Sequence, residues 1–345
     1  MHDRGGGVRS RKLFRAAIRW STRAVLALLI LVIVLSLVGA VFQHAATRSD
    51  ALRFRPNGRI VQVGAQKFHL HCMGQGRPTV VLEPGLGLPS LVWSWVQTEV
   101  ASVARVCTYD RAGYGWSDPT DAPSDAVNTS RQLYALLGVA DVAPPYVLVG
   151  HSIGGAYARM FVAQYPQTVA ALVVVDGSSP AAFDRSDLPQ RSPVLGAAKH
   201  YFAAIGGVRT LLALGWVRFW RDLPPQDGAA VKAFMSSTKH IDAAIKERDS
   251  LLDTLEQVRP LGDLGSLPLT VIYSERVVLP EPQDAATAAK WAAAIERQRR
   301  YWLGSSTNSR LVSIPGSDHI SVVTTQEHAR ALARAVIETL EKVKQ

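Results

Sequence analysis

The stretch that most constrains this chain runs from Tyr146 to Tyr165 and reads YVLVGHSIGGAYARMFVAQY. It opens with an apolar run, rich in β-branched and aromatic side chains, which predicts a strand buried on both faces. After a glycine-rich turn, apolar residues recur at helical spacing until Pro166 ends the pattern. A strand that turns directly into a helix indicates a layered α/β fold.

Ser152 lies at the turn, with Gly150 two residues before it and Gly154 two residues after it. This G-x-S-x-G pattern between a strand and a helix is typical of a nucleophile elbow, in which a strained backbone exposes the serine hydroxyl. Strand and helix can meet so closely only where the flanking positions carry no bulky side chain. The free N–H groups of the helix N-terminus would face any developing negative charge. We expect Ser152 to be a nucleophile; the alternative is a structural turn.

Seven further segments have strand patterns, and helical patterns separate several of them. The strands are expected at 59–63, 67–73, 78–82, 105–109, 171–175, 269–273 and 310–314, and helices at about 89–104, 127–137 and 326–343. This alternation predicts an α/β chain with a doubly wound, mostly parallel, eight-stranded sheet covered on both faces. The interval 177–265 lacks strand patterns and contains several large aromatic residues. We interpret it as a helical lid.

An uncharged apolar segment, residues 24–42, separates two basic zones near the N-terminus. A helix of this length comes close to spanning the hydrocarbon core of a bilayer. Residues 1–23 carry seven basic side chains and one acid, and residues 43–60 carry four basic side chains and one acid. Of the net charge of +10, the remaining 285 residues therefore carry +1. A near-neutral body gives no reason to expect a nucleic-acid partner.

The N-terminal pattern predicts a single-pass membrane protein. We expect a basic cytoplasmic tail (1–23), a transmembrane anchor (24–42), a linker (43–57) and an extracytoplasmic domain (58–345), because basic residues stay on the cytoplasmic side. A cleaved signal peptide is the alternative, and it would leave a soluble secreted protein that begins near residue 41. An exported domain permits a disulfide, so Cys72 and Cys107 are either paired or two buried free thiols.

The chain resembles the α/β-hydrolase superfamily over roughly residues 58–343. The resemblance rests on the elbow, on the sequence DRAGYGWS at 110–117 and on Asp318-His319 after the last expected strand, all in family order. It implies a lid between the sixth and seventh strands, where the strand-poor interval falls. It also implies a second strand antiparallel to the fourth, which would bring Cys72 near Cys107 and favours a disulfide between them.

The resemblance further implies a Ser-His-acid triad. A serine hydroxyl needs a base at neutral pH, and His319 stands where the family places it. The acid that orients the imidazole stays open, because most relatives carry an aspartate a few residues after strand seven, where this chain reads SERVV at 274–278. Asp176, at the end of strand six, and Glu275 are the candidates, and we favour Asp176.

An oxyanion hole requires two backbone N–H donors. Ile153, directly after the nucleophile, would supply one, and the resemblance implies Leu86, in the loop after strand three, as the other. Gly85 permits the bend of that loop. His151 and Asp110 are expected to be structural.

Together these features predict a membrane-anchored serine hydrolase that cleaves an ester or a related acyl bond through an acyl-enzyme. Epoxide hydrolases and haloalkane dehalogenases share the fold with an aspartate at the elbow, so Ser152 argues against both. A peptidase or a carbon–carbon bond hydrolase is the alternative among enzymes. If the protein is not an enzyme, the alternative is a catalytically inactive, membrane-tethered binding module. The expected partners are a small ester or acyl substrate and the membrane. We expect no cofactor and no metal, because no group of histidines and carboxylates has ligand spacing.

Overall fold

The computed structural model describes residues 6–182, 192–276 and 285–344. Eight strands form one sheet in the order β1-β2-β4-β3-β5-β6-β7-β8. The second strand pairs antiparallel with both of its neighbours, and the other pairs are parallel. The strands are β1 Arg59–Val63, β2 Gln66–Met73, β3 Thr79–Glu83, β4 Val106–Tyr109, β5 Tyr146–His151, β6 Val169–Val175, β7 Leu269–Ser274 and β8 Ser309–Ile314. The expected eight-stranded, mostly parallel sheet is confirmed.

The described α-helices precede the sheet, connect its strands and follow its last strand. They are α1 Gly6–Arg53, α2 Ser94–Ala101, α3 Ala126–Val139, α4 Ile153–Gln164, α5 Pro193–Ala204, α6 Gly207–Leu214, α7 Pro225–Met235, α8 Thr238–Asp249, α9 Leu251–Val258, α10 Ala285–Gly304, α11 Ser321–Thr324 and α12 Gln326–Lys342. The expected helix at 89–104 is a 3-10 turn, Ser90–Trp93, followed by α2.

Helices cover both faces of the sheet, which is why its central strands are apolar throughout. In β5, Val147 and Val149 belong to the core cluster under α2, α11 and α12. Tyr146 and Leu148, which alternate with them, belong to the cluster under α3, α4 and α10. Alternate residues of one strand thus fill two cores, and the C-terminal ends of the strands stay free to carry a site.

The helix α10 is an element that the sequence pattern did not predict. It precedes β8 and buries Trp302 completely. The indole N–H of Trp302 donates to the carbonyl oxygen of Gly177 at 2.7 Å. Helix α10 therefore fixes the segment that directly follows β6 and Asp176.

The N-terminal helix differs from the expected anchor and linker. It is continuous from Gly6 to Arg53, so most of the predicted linker, residues 43–57, is helical. No glycine or proline stands between Gly39 and Pro56 to break it. Residues 17–53 are long and apolar enough to cross a membrane, by length and composition. Residues 1–5 of the predicted basic tail lie outside the described residues.

The end of α1 packs onto the lid and does not hold the body at a distance. Gln43 is buried and donates from its side-chain amide to the carbonyl oxygen of Ser236 at 2.6 Å. Arg209 forms an ion pair with Asp50 at 2.8 Å. Phe54 is buried in a cluster with apolar residues of the lid. A helix that passes beside the lid gains more burial than a solvated linker would.

The lid, residues 177–265, carries five α-helices, α5 to α9, and a 3-10 helix, Phe219–Asp222, in its described part. It lies over the C-terminal ends of the central strands, since the backbone N–H of Gly87, just after β3, donates to Glu247 of α8 at 3.0 Å. Residues 183–191 of the predicted lid lie outside the described residues.

Cys72 of β2 and Cys107 of β4 stand opposite each other and form a disulfide that joins positions 35 residues apart. The expected pairing is therefore present in the structure. The bond ties the antiparallel end of the sheet to its parallel part.

Replacing both cysteines by alanine is expected to lower the free energy of unfolding by about 2–4 kcal/mol, because the disulfide restricts the unfolded chain. Denaturant unfolding of the full chain in detergent measures this. Reduction of the wild-type protein serves as the control, since it lowers stability to the same extent and leaves the double variant unchanged. Free alkylation of both thiols without a reductant would contradict the pairing.

Candidate active site

Ser152 occupies the turn between β5 and α4 in a conformation that few residues other than glycine adopt, with φ 57° and ψ −124°. The glycines around it are required by close backbone approach. A methyl group on Gly150 would lie 2.4 Å from the carbonyl oxygen of Gly154, and one on Gly154 would lie 2.5 Å from that of Glu83. The sequence pattern therefore corresponds to a strained turn packed directly against β3, which projects the serine side chain at the end of the strands.

His319 follows β8 and reaches the serine from the neighbouring loop. Its Nε2 lies 3.1 Å from the Oγ of Ser152, although 167 positions separate the two in the chain. The side chain of His319 is 49% exposed. The pair is therefore within hydrogen-bond distance and open on one side, where a reacting molecule can approach.

Asp176 lies on the far side of the imidazole. Its Oδ2 is 3.5 Å from the Nδ1 of His319, which is a long ion-pair contact. An ionised carboxylate only accepts hydrogen bonds, so this contact favours the tautomer with the proton on Nδ1, which leaves Nε2 to accept from the serine hydroxyl. This is the tautomer that a general base requires.

Asp176 is itself fixed by Ser274 at the end of β7. The backbone N–H of Ser274 donates to Oδ1 at 2.9 Å, and its hydroxyl donates to Oδ2 at 2.5 Å. Burial disfavours the charged form, but the hydrogen bonding and charge of His319, together with the donors of Ser274, hold the pKa of Asp176 below its usual range. Asp176 is therefore a carboxylate at neutral pH.

Glu275, the other candidate acid, makes its hydrogen bond to a backbone N–H group and not to His319. Its side chain is exposed, and its Oε2 accepts from the backbone N–H of Gly316 at 2.6 Å. It thus supports the turn between β8 and His319. Arg276 pairs with Asp318 at 3.5 Å. Val277 and Val278, which stand near the family's usual acid position, lie outside the described residues.

His151 holds the backbone of His319. Its Nε2–H donates to the carbonyl oxygen of His319 at 2.7 Å, and the two rings lie 4.7 Å apart. Burial, followed by the charge of His319, lowers the pKa of His151 to about 3. A neutral ring that donates to a backbone carbonyl oxygen fits the structural role expected from the sequence.

The loop after β3 lies against the elbow. A methyl group on Gly85 would lie 3.2 Å from the Cβ of Ser152 and 2.9 Å from the Nδ1 of His151. Leu86 packs against the cluster that contains Ile153. Ile153 begins α4, and the first N–H groups of a helix have no partner inside it. The two residues expected to form an oxyanion hole therefore both lie next to the turn that carries Ser152.

A buried arginine donates hydrogen bonds to this loop. The sequence analysis did not single it out. Arg111 donates from Nη1 to the carbonyl oxygen of Pro84 and from Nη2 to that of Gly85, both at 2.7 Å. Its Nη1 also pairs with Glu83 at 2.8 Å. Burial raises the pKa of Glu83 above its usual range, and the charge of Arg111 opposes that change.

Glu247 completes the cluster from the lid. It is 1% exposed, and its Oε1 lies 2.9 Å from the Nε of Arg111. The hydroxyls of Tyr114 and Tyr157 donate to its carboxylate at 2.6 and 3.0 Å. One buried carboxylate thus joins the lid to the loop after β3 and to α4. In the sequence, Glu247 stands in the polar stretch KERD and is indistinguishable from a surface charge.

The contacts of Asp110 fit the structural role expected from the sequence. Asp110 accepts from the backbone N–H groups of Ser90 at 2.7 Å and Trp116 at 3.1 Å, and it pairs with His69 at 3.0 Å. Although burial opposes ionisation, these partners lower the pKa of Asp110 to about 2. It fixes the loop that carries Arg111.

Comparison with known proteins gives a family match over most of the chain. The sequence model described as "Alpha/beta hydrolase family" matches residues 80–335. The chain is 26% identical over 155 residues, which are 44% of its length, to the uncharacterized protein YbdG of Bacillus subtilis. It spans about half of that relative, 48% of its length.

Two solved structures illustrate the similarity of fold. A thermophilic esterase from Thermogutta terrifontis superimposes with a TM-score of 0.58 at 18% identity, over 83% of this chain and 99% of the esterase. An epoxide hydrolase mutant from Vigna radiata gives a TM-score of 0.62 at 17% identity, over 82% of this chain and 98% of the hydrolase. Likeness at this level of identity concerns the fold.

Proposed function

The chain belongs to the alpha/beta hydrolase family, and on that premise we propose that it is a serine hydrolase that cleaves carboxylic esters or related acyl bonds. The observation that carries the proposal is the 3.1 Å contact between Ser152 Oγ and His319 Nε2, with Asp176 behind the imidazole. A hydroxyl next to a base, with a carboxylate that orients the base from its other side, is the minimal set of groups for nucleophilic acyl transfer.

In the proposed reaction, Ser152 attacks the carbonyl carbon and its proton passes to Nε2 of His319. The oxyanion of the tetrahedral intermediate accepts hydrogen bonds from the backbone N–H groups of Ile153 and Leu86. When the carbon–oxygen bond breaks, His319 gives the proton to the leaving alkoxide, and an acyl-enzyme remains on Ser152. Water then attacks the acyl carbon and gives a proton to His319. As the bond between the acyl carbon and Oγ breaks, His319 gives this proton to the Oγ of Ser152, and the free acid leaves.

A serine at position 152 favours acyl transfer over epoxide opening, in which the family's elbow residue is an aspartate. The same fold supports peptidases and carbon–carbon bond hydrolases, so it does not determine the leaving group. Kinetic measurements on different substrates are needed to identify it. A panel of chromogenic esters and amides of graded length, offered to the full chain, tests the proposal. We expect turnover of esters; turnover of amides alone supports the peptidase, and no turnover supports the binding module.

Membrane attachment is a further part of the proposal. It rests on the length and apolar composition of α1. The seven basic residues before residue 24 favour a cytoplasmic N-terminus, and a disulfide is more stable in an oxidising compartment. We therefore propose an extracytoplasmic catalytic domain.

Arg111 acts in this mechanism as a positioning residue. It holds the carbonyl oxygen of Gly85, and the same planar trans peptide carries the N–H of Leu86 on its opposite side. Fixing the carbonyl therefore fixes the direction of one oxyanion donor. Glu247 fixes the arginine from the lid, through Nε.

Replacing Arg111 by lysine is expected to lower kcat by roughly 10- to 100-fold and to change KM little, because the charge remains but the fork that holds two carbonyl oxygens is lost. Steady-state kinetics on a soluble ester measures the changes in kcat and KM separately. Arg330→Lys, at an exposed arginine that pairs with Glu99, is the matched control and should match the wild type. A rise in KM at unchanged kcat would contradict the positioning role.

A further inference from the structure

The helix α5 of the lid presents an apolar face to solvent. The exposed fractions are 81% for Val194, 49% for Leu195, 51% for Tyr201 and 41% for Phe202. Val194 and Tyr201 are two helical turns apart, as are Leu195 and Phe202, so the four side chains form a strip along one side of α5. The opposite side of α5 carries small side chains and His200 and packs toward α8, where His200 pairs with Asp242 at 2.7 Å. A contiguous exposed apolar strip marks a surface that meets another apolar phase.

The C-terminal end of this strip contacts the apolar part of α1. A methyl group on Gly39 would lie 2.5 Å from the carbonyl oxygen of Ile205, so the turn after α5 touches the backbone of α1. The hydroxyl of Tyr201 lies 2.5 Å from the Oγ of Ser36. Ser36 stands six residues before Phe42, the last residue of the uncharged segment, which corresponds to about 9 Å along a helix. The lid therefore reaches α1 within the segment that would lie in the bilayer.

The contact with Ser36 suits an apolar environment. The hydroxyl of Ser36 donates to the carbonyl oxygen of Val32 at 2.7 Å, so it is free to accept from the hydroxyl of Tyr201. Both hydroxyl groups are thus paired within the protein, as burial in lipid requires. Tyrosine is also enriched where membrane and water meet.

We propose that the apolar face of α5 lies in the interfacial layer of the same bilayer that α1 crosses, so that the lid is a second membrane contact. The occupant of the face is lipid. The inference rests on the proposed membrane attachment, and it adds that the lid is held at the membrane by its own residues and not only through the tether. Two attachments also fix the orientation of the catalytic domain relative to the membrane surface.

The test uses spin labels on single introduced cysteines in the full chain, reconstituted into phosphatidylcholine liposomes. Both native cysteines are in the disulfide, so each variant carries one reactive thiol. Leu195→Cys reports the face of α5, and Leu31→Cys reports the proposed membrane span. Val103→Cys is the matched control, because Val103 is 48% exposed and stands just before β4, at the end of the strands that is opposite the lid.

Collisions with oxygen, which partitions into lipid, are compared with collisions with a water-soluble nickel chelate. We expect labels at 31 and 195 to be accessible to oxygen and protected from nickel, and the label at 103 to show the reverse. Nickel access at 195 with protection at 31 would overturn the inference and leave the membrane span standing. Nickel access at 31 would overturn membrane attachment and this inference with it. Dipolar broadening at 195 would assign the face to a second copy of the chain and overturn the lipid assignment. Hydrolysis of a soluble ester by the unlabelled wild-type liposomes is measured separately, so either failure is distinguishable from failure of the proposed chemistry.

Discussion

Replacing Ser152 by alanine lowers kcat for ester hydrolysis by at least about 10³-fold, because the variant cannot form an acyl-enzyme. The substitution removes one hydroxyl group, on which the packing of the turn does not depend. The glycines around position 152, and not the serine hydroxyl, allow strand and helix to approach. The variant is therefore expected to fold and to retain substrate binding.

Steady-state kinetics and thermal unfolding, measured on the same preparation, test this prediction. Ser102→Ala is the matched control, because Ser102 is an exposed serine at the end of α2. Its kcat should equal that of the wild type. A Ser152→Ala variant that is folded and hydrolyses esters within a few-fold of the wild-type rate would exclude the serine mechanism.

The second large effect concerns the acid. Asp176→Asn is expected to lower kcat by about 10²- to 10⁴-fold, since an amide neither holds the required imidazole tautomer nor stabilises the imidazolium. Glu275→Gln keeps an acceptor for the N–H of Gly316, and we expect it to lower kcat no more than a few-fold. The two variants make the same chemical change at the two acids considered.

Kinetics of both variants on one soluble ester, with circular dichroism to verify folding, provide the measurement. The hydrogen bonds from Ser274 would partly persist in Asp176→Asn, so a folding defect and a chemical defect are separable. The reverse order, with Glu275→Gln nearly inactive and Asp176→Asn active, would move the acid's role to the loop after β7.

Most of the sheet was predictable because its strands follow simple rules. A strand buried on both faces is apolar throughout, and β3, β5 and β6 meet that description in the sequence. The pattern around Ser152 was equally informative, since steric necessity imposes its glycines. The late position of His319 carried information only through the resemblance to a family, because a loop histidine has no local pattern of its own.

Two elements escaped prediction for identifiable reasons. The helix α10 is rich in alanine and charged residues, and its burial depends mainly on its last turns, so its apolar periodicity is weak. The end of α1 was interpreted as a linker because residues 43–57 are polar and basic. The available signal was the absence of a helix breaker before Pro56, which composition alone does not register.

The cluster of Glu83, Arg111 and Glu247 was beyond sequence reasoning. Its members come from β3, the loop after β4 and the lid, and each charge taken singly is more often exposed than buried. Only the tertiary structure brings them together. The cluster gives the lid a direct contact with the loop that carries Leu86, so the site depends on the lid as well as on the sheet.

Mass spectrometric mapping of the residue that a fluorophosphonate modifies tests the central claim most directly, because only a serine activated by a neighbouring base reacts readily. We predict a single adduct on the peptide that contains Ser152, and its loss in His319→Ala. An adduct on a different serine, or none on the folded full-length protein, would contradict the assignment of Ser152 and His319 as nucleophile and base.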